Sequence, residues 1–427
     1  MARPGQREQT RTPARRLTVR VEAIGSGGDG VARDGGGALY VPLTAPGDLA
    51  SVDVQGERGQ IVELIEKSPL RADPSCRHFG DCGGCAFQHL RREEELRWKR
   101  SQVETALARA GVSAMVDPVM AAPAASRRRA AFAVKRTAAE LALGFNVRRS
   151  ARIVAIEDCA VLAPALASRL SGLRVVAGLI PAGAFDLAVT LCDNGLDLNV
   201  SASKLTTRSV TETPNLAAAL RAAGVARLNV NGDTALALAE PVVAFDGVPV
   251  RPPPGAFLQA SREGEAMLIN LVKAAAGGAR KIADLFAGCG TFSLPLAKAA
   301  SITAFDSDRA AIDALARAAA AAQSGEWLVK PLRAEARDLF ERPLTARELK
   351  PFDAVVFDPP RAGAAAQAAE IGKSAVACVI GVSCNPQSFA RDAALLAAGG
   401  YELRKVTPVD QFVYSPHIEL VSVFARR

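Results

Sequence analysis

Cysteine is scarce for so long a chain. Eight thiols in 427 residues are too few for a disulfide scaffold and imply a reducing compartment. No apolar h-region follows the N-terminus, so no secretory leader is expected and the cytoplasm is the expected location. Long uncharged apolar runs are missing too. The most hydrophobic stretches are alanine-rich and broken by charge, which predicts no membrane span. Acidic residues are sparse at the start: residues 1 to 20 hold six arginines and one glutamate. Pro4, Gly5 and Pro13 oppose a sustained amphipathic helix there, so residues 1–16 read as a disordered basic arm.

The length exceeds what one hydrophobic core organises, and two or three domains are expected. A net charge of +8 suits a polyanionic partner without identifying one. Residues 17–66 carry short alternating runs separated by Gly- and Asp-rich turns, the pattern of a small OB-like β-barrel. The loop Gly25–Gly30 is too rich in glycine for a helix. It reads equally as a plain hairpin turn or as backbone open to a phosphate.

Residues 67–250 are read as a central mixed α/β domain. Its first part holds Cys76-x5-Cys82-x2-Cys85, with Cys159 further on, in a segment of Pro, Gly, His and Asp that needs something to fold around. Four thiolates of this kind suit either zinc or an iron–sulfur cluster. A charged helix is expected over Arg91–Ala110, and strands over Arg129–Val134 and Leu187–Leu191. Residues 251–427 alternate apolar strands with alanine-rich helices, which implies a largely parallel sheet covered on both faces. Ligands of such sheets sit at the carboxyl ends of the strands.

One such end is Asp284-Leu285-Phe286-Ala287-Gly288-Cys289-Gly290-Thr291, where a strand gives way to a helix. Asp306 closes the next strand, placed to bond ribose hydroxyls. The third glycine of Gly-x-Gly-x-x-Gly is absent, which argues against hydride transfer. Cys192, Cys289 and Cys378 read as small buried hydrophobes. Further on stand Asp358-Pro359-Pro360-Arg361 and Val382-Ser383-Cys384-Asn385-Pro386.

Over nearly its whole length the chain closely resembles the RNA uracil-5-methyltransferases that use S-adenosylmethionine. The resemblance rests on the last two motifs, on Gly255-Ala256-Phe257-Leu258-Gln259, on the turn at 284–291, on the cysteine segment, and on a tail with Asp410, Phe412, His417 and Glu419. It implies a Rossmann-like class I methyltransferase domain, an N-terminal TRAM-like barrel and a [4Fe–4S] cluster on Cys76, Cys82, Cys85 and Cys159. By the same resemblance Cys384 is the nucleophile that adds to uracil C6 and Glu419 the general base that removes the C5 proton. Gln259, Phe286, Gly288, Asp306 and Asp358 are then the cofactor-side residues.

By the same resemblance, members that carry both barrel and cluster act on large-subunit RNA, so 23S ribosomal RNA is the expected substrate; an RNA-binding monomer is expected. Transfer-RNA uracil-5 methylation by the same mechanism, and a noncatalytic iron–sulfur RNA-binding protein, are the alternatives. Arg91, Arg92, Arg97, Lys99, Arg100, Arg148, Arg149 and Arg152 are candidate phosphate contacts. Trp98 reads as packing rather than base stacking. The chain departs from the family pattern at Ala319–Gln323, at Arg333 and at Gln411–His417.

Overall fold

The computed structural model describes residues 15–137, 140–325, 327 and 329–426. The chain forms two compact units. One comprises Met1–Gly80, Cys85–Trp98 and Tyr414–Pro416; the other comprises Asp81–Gly84, Lys99–Val413 and His417–Arg427. No helix among the described residues is long and apolar enough to cross a membrane.

The first unit holds a six-stranded sheet built from Arg15–Arg20, Ala23–Ile24, Gly30–Asp34, Gly37–Val41, Leu49–Gln55 and Arg58–Glu66. Alternation decides its inner face: Ala50, Val52 and Val54 point inward with Val19, Ala32, Leu39 and Val41, while their neighbours on the strand stay partly exposed. The first strand begins at Arg15, inside the expected arm, and Arg16 bonds Asp53 at 2.9 Å. Residues 1–14 of that arm lie outside the described residues. The short strands Ala23–Ile24 and Gly30–Asp34 flank the Gly25–Gly30 loop, whose glycines conceal them in the sequence pattern. Trp98 is 9% exposed, meets Phe87 edge-on and donates to the Ile24 carbonyl at 3.0 Å, so its role is packing.

The second unit contains two large sheets. The central sheet runs Ile153–Ala155, Leu141–Asn146, Arg129–Arg136, Ala184–Cys192, Gly195–Ser201, Val225–Val230, Asp233–Ala237. Helices Leu170–Leu179 and Leu216–Ala222 share its core.

The other sheet has eight strands in the order Leu332–Ala336, Ser301–Asp306, Lys281–Leu285, Ala354–Phe357, Cys378–Ser383, Glu419–Arg426, Tyr401–Asp410, Met120–Ala121. The first five are parallel. Glu419–Arg426 enters antiparallel between Cys378–Ser383 and Tyr401–Asp410. Apolar residues occupy consecutive positions because both faces are buried. Ile282, Ala354, Val356, Ile380 and Val382 pack with helices Arg262–Ala275 and Arg309–Ser324. Ala283, Leu285, Val355, Phe357 and Val379 pack on the other face with Ala365–Lys373 and Pro386–Ala398. The strand order reverses direction between Lys281–Leu285 and Ala354–Phe357, and in open α/β sheets that switch point is where a ligand crevice forms.

Candidate active site

The turn after Lys281–Leu285 is bent by backbone angles that ordinary residues avoid. Phe286 has φ +63°, Gly288 +52° and Gly290 +96°. At Gly290 a side chain would also collide with the Leu315 methyl, which fixes glycine there. Asp306 holds the turn in place: its carboxylate accepts from the N–H of Gly288 at 2.8 Å and from that of Asp308 at 2.8 Å. Below the turn Asp284 is fully buried and bonds Ser293 Oγ at 2.5 Å. Burial raises its carboxyl to about 7, with Asp306 adding to the effect against the Ser293 bond. Phe286 stacks at a tilt on the exposed ring of Phe340.

Beside this turn, the Asp358 N–H donates to the Leu285 carbonyl at 3.2 Å, so Asp358 sits across the switch point. Burial and the neighbouring Asp284 push its carboxyl up to about 7. The next parallel strand ends at Ser383, and Cys384 follows it half-buried. Asn385 caps helix Pro386–Ala398 by accepting from Gln387 N–H at 3.1 Å, so the thiol stands just ahead of a helix start. Its Nδ2 donates to the Arg361 carbonyl at 2.9 Å.

The inserted last strand brings Glu419 to the same edge. Ser383 pairs with Leu420 in the antiparallel register, which places Glu419 next to the Cys384 turn. Glu419 is 3% exposed. Burial raises its carboxyl well above the usual range, and Asp358 adds to that, while Gln411 and Arg361 oppose it. Burial, then Glu419 and Asp358, push the Cys384 thiol up to about 12 against the pull of Arg361. One thiol and two carboxyl groups thus stand near one another at the carboxyl ends of the parallel strands.

A family model described as tRNA (Uracil-5-)-methyltransferase matches residues 250–427. A protein of Brucella suis biovar 1 named an uncharacterized RNA methyltransferase is 44% identical, covering 96% of this chain and 97% of its own. A 23S rRNA (uracil(1939)-C(5))-methyltransferase of Chromohalobacter salexigens is 31% identical over 95% of this chain and 88% of its own. The chain belongs to the RNA uracil-5-methyltransferase family. A solved structure, the Pyrococcus abyssi tRNA (uracil-54, C5)-methyltransferase in complex with S-adenosyl-L-homocysteine, shares the fold with TM-score 0.71 at 22% identity, covering 95% and 99% of the two chains.

Enzymes of this RNA uracil-5-methyltransferase family take their methyl group from S-adenosylmethionine. A Cβ at Gly288 would meet no other atom within 4 Å, and Asp284 Oδ1 is buried with no hydrogen-bond partner. Gln259 is 3% exposed, and its Oε1 accepts from Gln411 Nε2 at 2.6 Å. Arg333, one of the departures from the family pattern, lies on an edge strand with its side chain 80% exposed, 3.9 Å from Glu335. Sequence reasoning missed Gln411 and Ser293 as partners of the site. Both lie inside quoted or adjacent motifs, but only the folded register reveals what they touch.

Lys99 is not a phosphate contact. It is fully buried, bonded to Asp410 Oδ1 at 2.7 Å and to the Phe412 carbonyl at 3.0 Å. Arg92, Arg97 and Arg100 pair with Glu95, Glu94 and Glu104 on their own helix, and Arg152 with Asp81. Cys192 and Cys289 are buried, as small hydrophobes are.

Cys76, Cys82, Cys85 and Cys159 are half-buried. Cys76 N–H donates to Gln88 Oε1 at 3.1 Å, Cys82 bridges to Val147, and Cys159 packs against the central core. Among the described residues no three His, Cys, Asp or Glu side chains form a group able to hold a metal ion.

Proposed function

We propose that this enzyme methylates C5 of a uracil in 23S ribosomal RNA through a covalent adduct at Cys384, with Glu419 as general base. The observation that carries the reading is the register of the inserted strand, which sets Glu419 beside the Cys384 turn although the two come from different strands. Uracil C5 is a poor nucleophile until C6 is attacked. Addition of the Cys384 thiolate at C6 makes C5 electron-rich, S-adenosylmethionine supplies the methyl group there, and Glu419 then takes the C5 proton so that the thiolate can leave. A carboxylate that burial makes reluctant to ionise is correspondingly the stronger base. Asp358 faces both groups, and the prolines after it hold its backbone rigid. Gln259, Phe286, Gly288 and Asp306 line the methyl-donor side.

A target base stacked in a helix is out of reach, so a loop or flipped nucleotide is required. The sheet of the first unit is read as a TRAM-like RNA-binding module. Large-subunit RNA is favoured by the Chromohalobacter salexigens relative, which matches along most of its length. The test is methyl transfer from labelled S-adenosylmethionine to unmodified 23S and transfer RNA, with wild type and Cys384→Ala side by side. Label in 5-methyluridine of 23S RNA, lost in the variant, supports the reading. Label in transfer RNA alone selects the other substrate, and no covalent adduct or product from either overturns the mechanism.

The spacing of Cys76, Cys82, Cys85 and Cys159 suits zinc or an iron–sulfur cluster, and the choice of [4Fe–4S] rests on the family resemblance. Iron and acid-labile sulfide in anaerobically purified protein would support it; stoichiometric zinc, or no metal, would remove it.

A further inference from the structure

Three consecutive carbonyls ahead of helix Arg262–Ala275 are held by two adjacent arginines. Arg129 Nη1 donates to the Leu258 carbonyl at 2.5 Å, Arg128 Nε to that of Gln259 at 3.0 Å, and the Arg128 backbone N–H to that of Ala260 at 2.8 Å. Arg128 is itself anchored on Glu265 of the helix at 2.5 Å. Ser261 then caps the helix by accepting from the Gly264 N–H at 3.0 Å. The backbone that carries Gln259 is therefore fixed on both sides of it.

The side-chain amide of Gln259 is oriented by a second chain of bonds. Ser261 N–H donates to Gln411 Oε1 at 3.3 Å, and Gln411 Nε2 donates to Gln259 Oε1 at 2.6 Å. A backbone N–H can only donate, so the Gln411 oxygen must face Ser261 and its NH2 must face Gln259. The Gln259 oxygen is thereby occupied, and its NH2 is turned the other way. Gln259 is 3% exposed and Gln411 2%, yet among the described residues the Gln259 NH2 has no hydrogen-bond partner. A side chain almost enclosed with both donors unspent suits an acceptor brought by a ligand.

We propose that Gln411 is a positioning residue that sets the orientation of the Gln259 amide, so that Gln259 meets the methyl donor NH2-first and gives a hydrogen bond to one of its acceptor groups. The proposal rests on the reading of Gln259 as a residue of the methyl-donor side. Gln411 then acts on donor affinity, and it does so only through Gln259.

The test measures binding of S-adenosylhomocysteine, the donor stripped of its methyl group, to the full-length protein by isothermal titration calorimetry at pH 8. Gln411→Met keeps the length of the side chain and frees the Gln259 amide to rotate. Gln411→Glu keeps the acceptor for Ser261 N–H, but its carboxylate has no hydrogen to give, so the Gln259 amide turns over and presents oxygen to the ligand. Each variant is expected to bind about tenfold more weakly than wild type. In a Gln259→Leu background the same two changes should weaken binding no further, because the group they orient is gone. Melting temperatures show which variants are folded, and either Gln411 variant decides alone if the other is not. Wild-type affinity in a folded Gln411 variant, or a loss as large in the Gln259→Leu background as in wild type, overturns the proposal. Wild-type affinity in Gln259→Leu itself overturns the placement of Gln259 against the methyl donor, and the proposal with it.

Discussion

Asn385 Nδ2 donates to the carbonyl of Arg361 at 2.9 Å, and Ser388 Oγ reaches the same oxygen at 3.0 Å. The turn carrying Asp358 and the turn carrying Cys384 are thereby fixed to one another. Asn385→Ala removes the first of these two bonds and the helix cap together, leaving the Ser388 bond. A stability loss of about 1 kcal/mol is expected from the cap, with a fall in kcat of about tenfold from misplacement of the thiol. Urea unfolding and steady-state methylation measure the two effects; unchanged kcat would show that the turns hold without the Asn385 bond.

Cys384 in the free enzyme should be a sluggish thiol. With its thiol pushed up to about 12, alkylation by iodoacetamide is expected to rise steadily from pH 7 to 10 without a plateau, because the thiolate is the nucleophile. Glu419→Gln and Asp358→Asn each remove a nearby negative charge and should speed alkylation at a given pH. Mass spectrometry of the Cys384 peptide reads this directly, and slower alkylation in both variants would contradict it.

Asp284 makes the fold sensitive to alkali. Its carboxyl rises from 3.8 to about 7 on folding, chiefly through burial, so the folded state binds the proton more tightly than the unfolded chain. That contribution is complete below the unfolded value and is lost as pH climbs toward the folded one, up to about 4 kcal/mol at 1.36 kcal/mol per pKa unit. Asp284→Asn should therefore raise the melting temperature of the ligand-free protein more at pH 8 than at pH 5. Equal shifts at both pH values would show that the proton is not retained.

Arg128 is 1% exposed and meets Glu265 at 2.5 Å, with its Nε on the Gln259 carbonyl at 3.0 Å. Removing one partner strands the other: Arg128→Met should cost about 3–5 kcal/mol. Arg128→Met with Glu265→Leu should recover much of that loss in urea unfolding. A double variant no more stable than the single would mean that the Gln259 contact, rather than the charge pair, is what matters.

The sheet around the active site was legible because its central strands are short, largely apolar runs that alternate with alanine-rich helices. Asp306 ends one such strand, and Asp358 and Cys384 each follow one. Electrostatic partners were not legible. Lys99 looks like any other cation in a charged helix, yet Asp410, far off in sequence, buries it. Gln411 reads as one polar residue in a variable tail until the antiparallel register folds that tail against Gln259. The first sheet yielded four of its strands, since period-2 alternation survives in them, and hid two where glycines break the period.

The reversed strand Glu419–Arg426 has to slot between two neighbours that both precede it in the chain. Until it does, Cys384 lacks the buried carboxylate beside it, and the desolvation and negative field that suppress its ionisation are incomplete. A partly folded chain then carries a more reactive thiol than the finished enzyme. The alkylation rate of that one sulfur therefore reports whether the C-terminal strand is docked beside it.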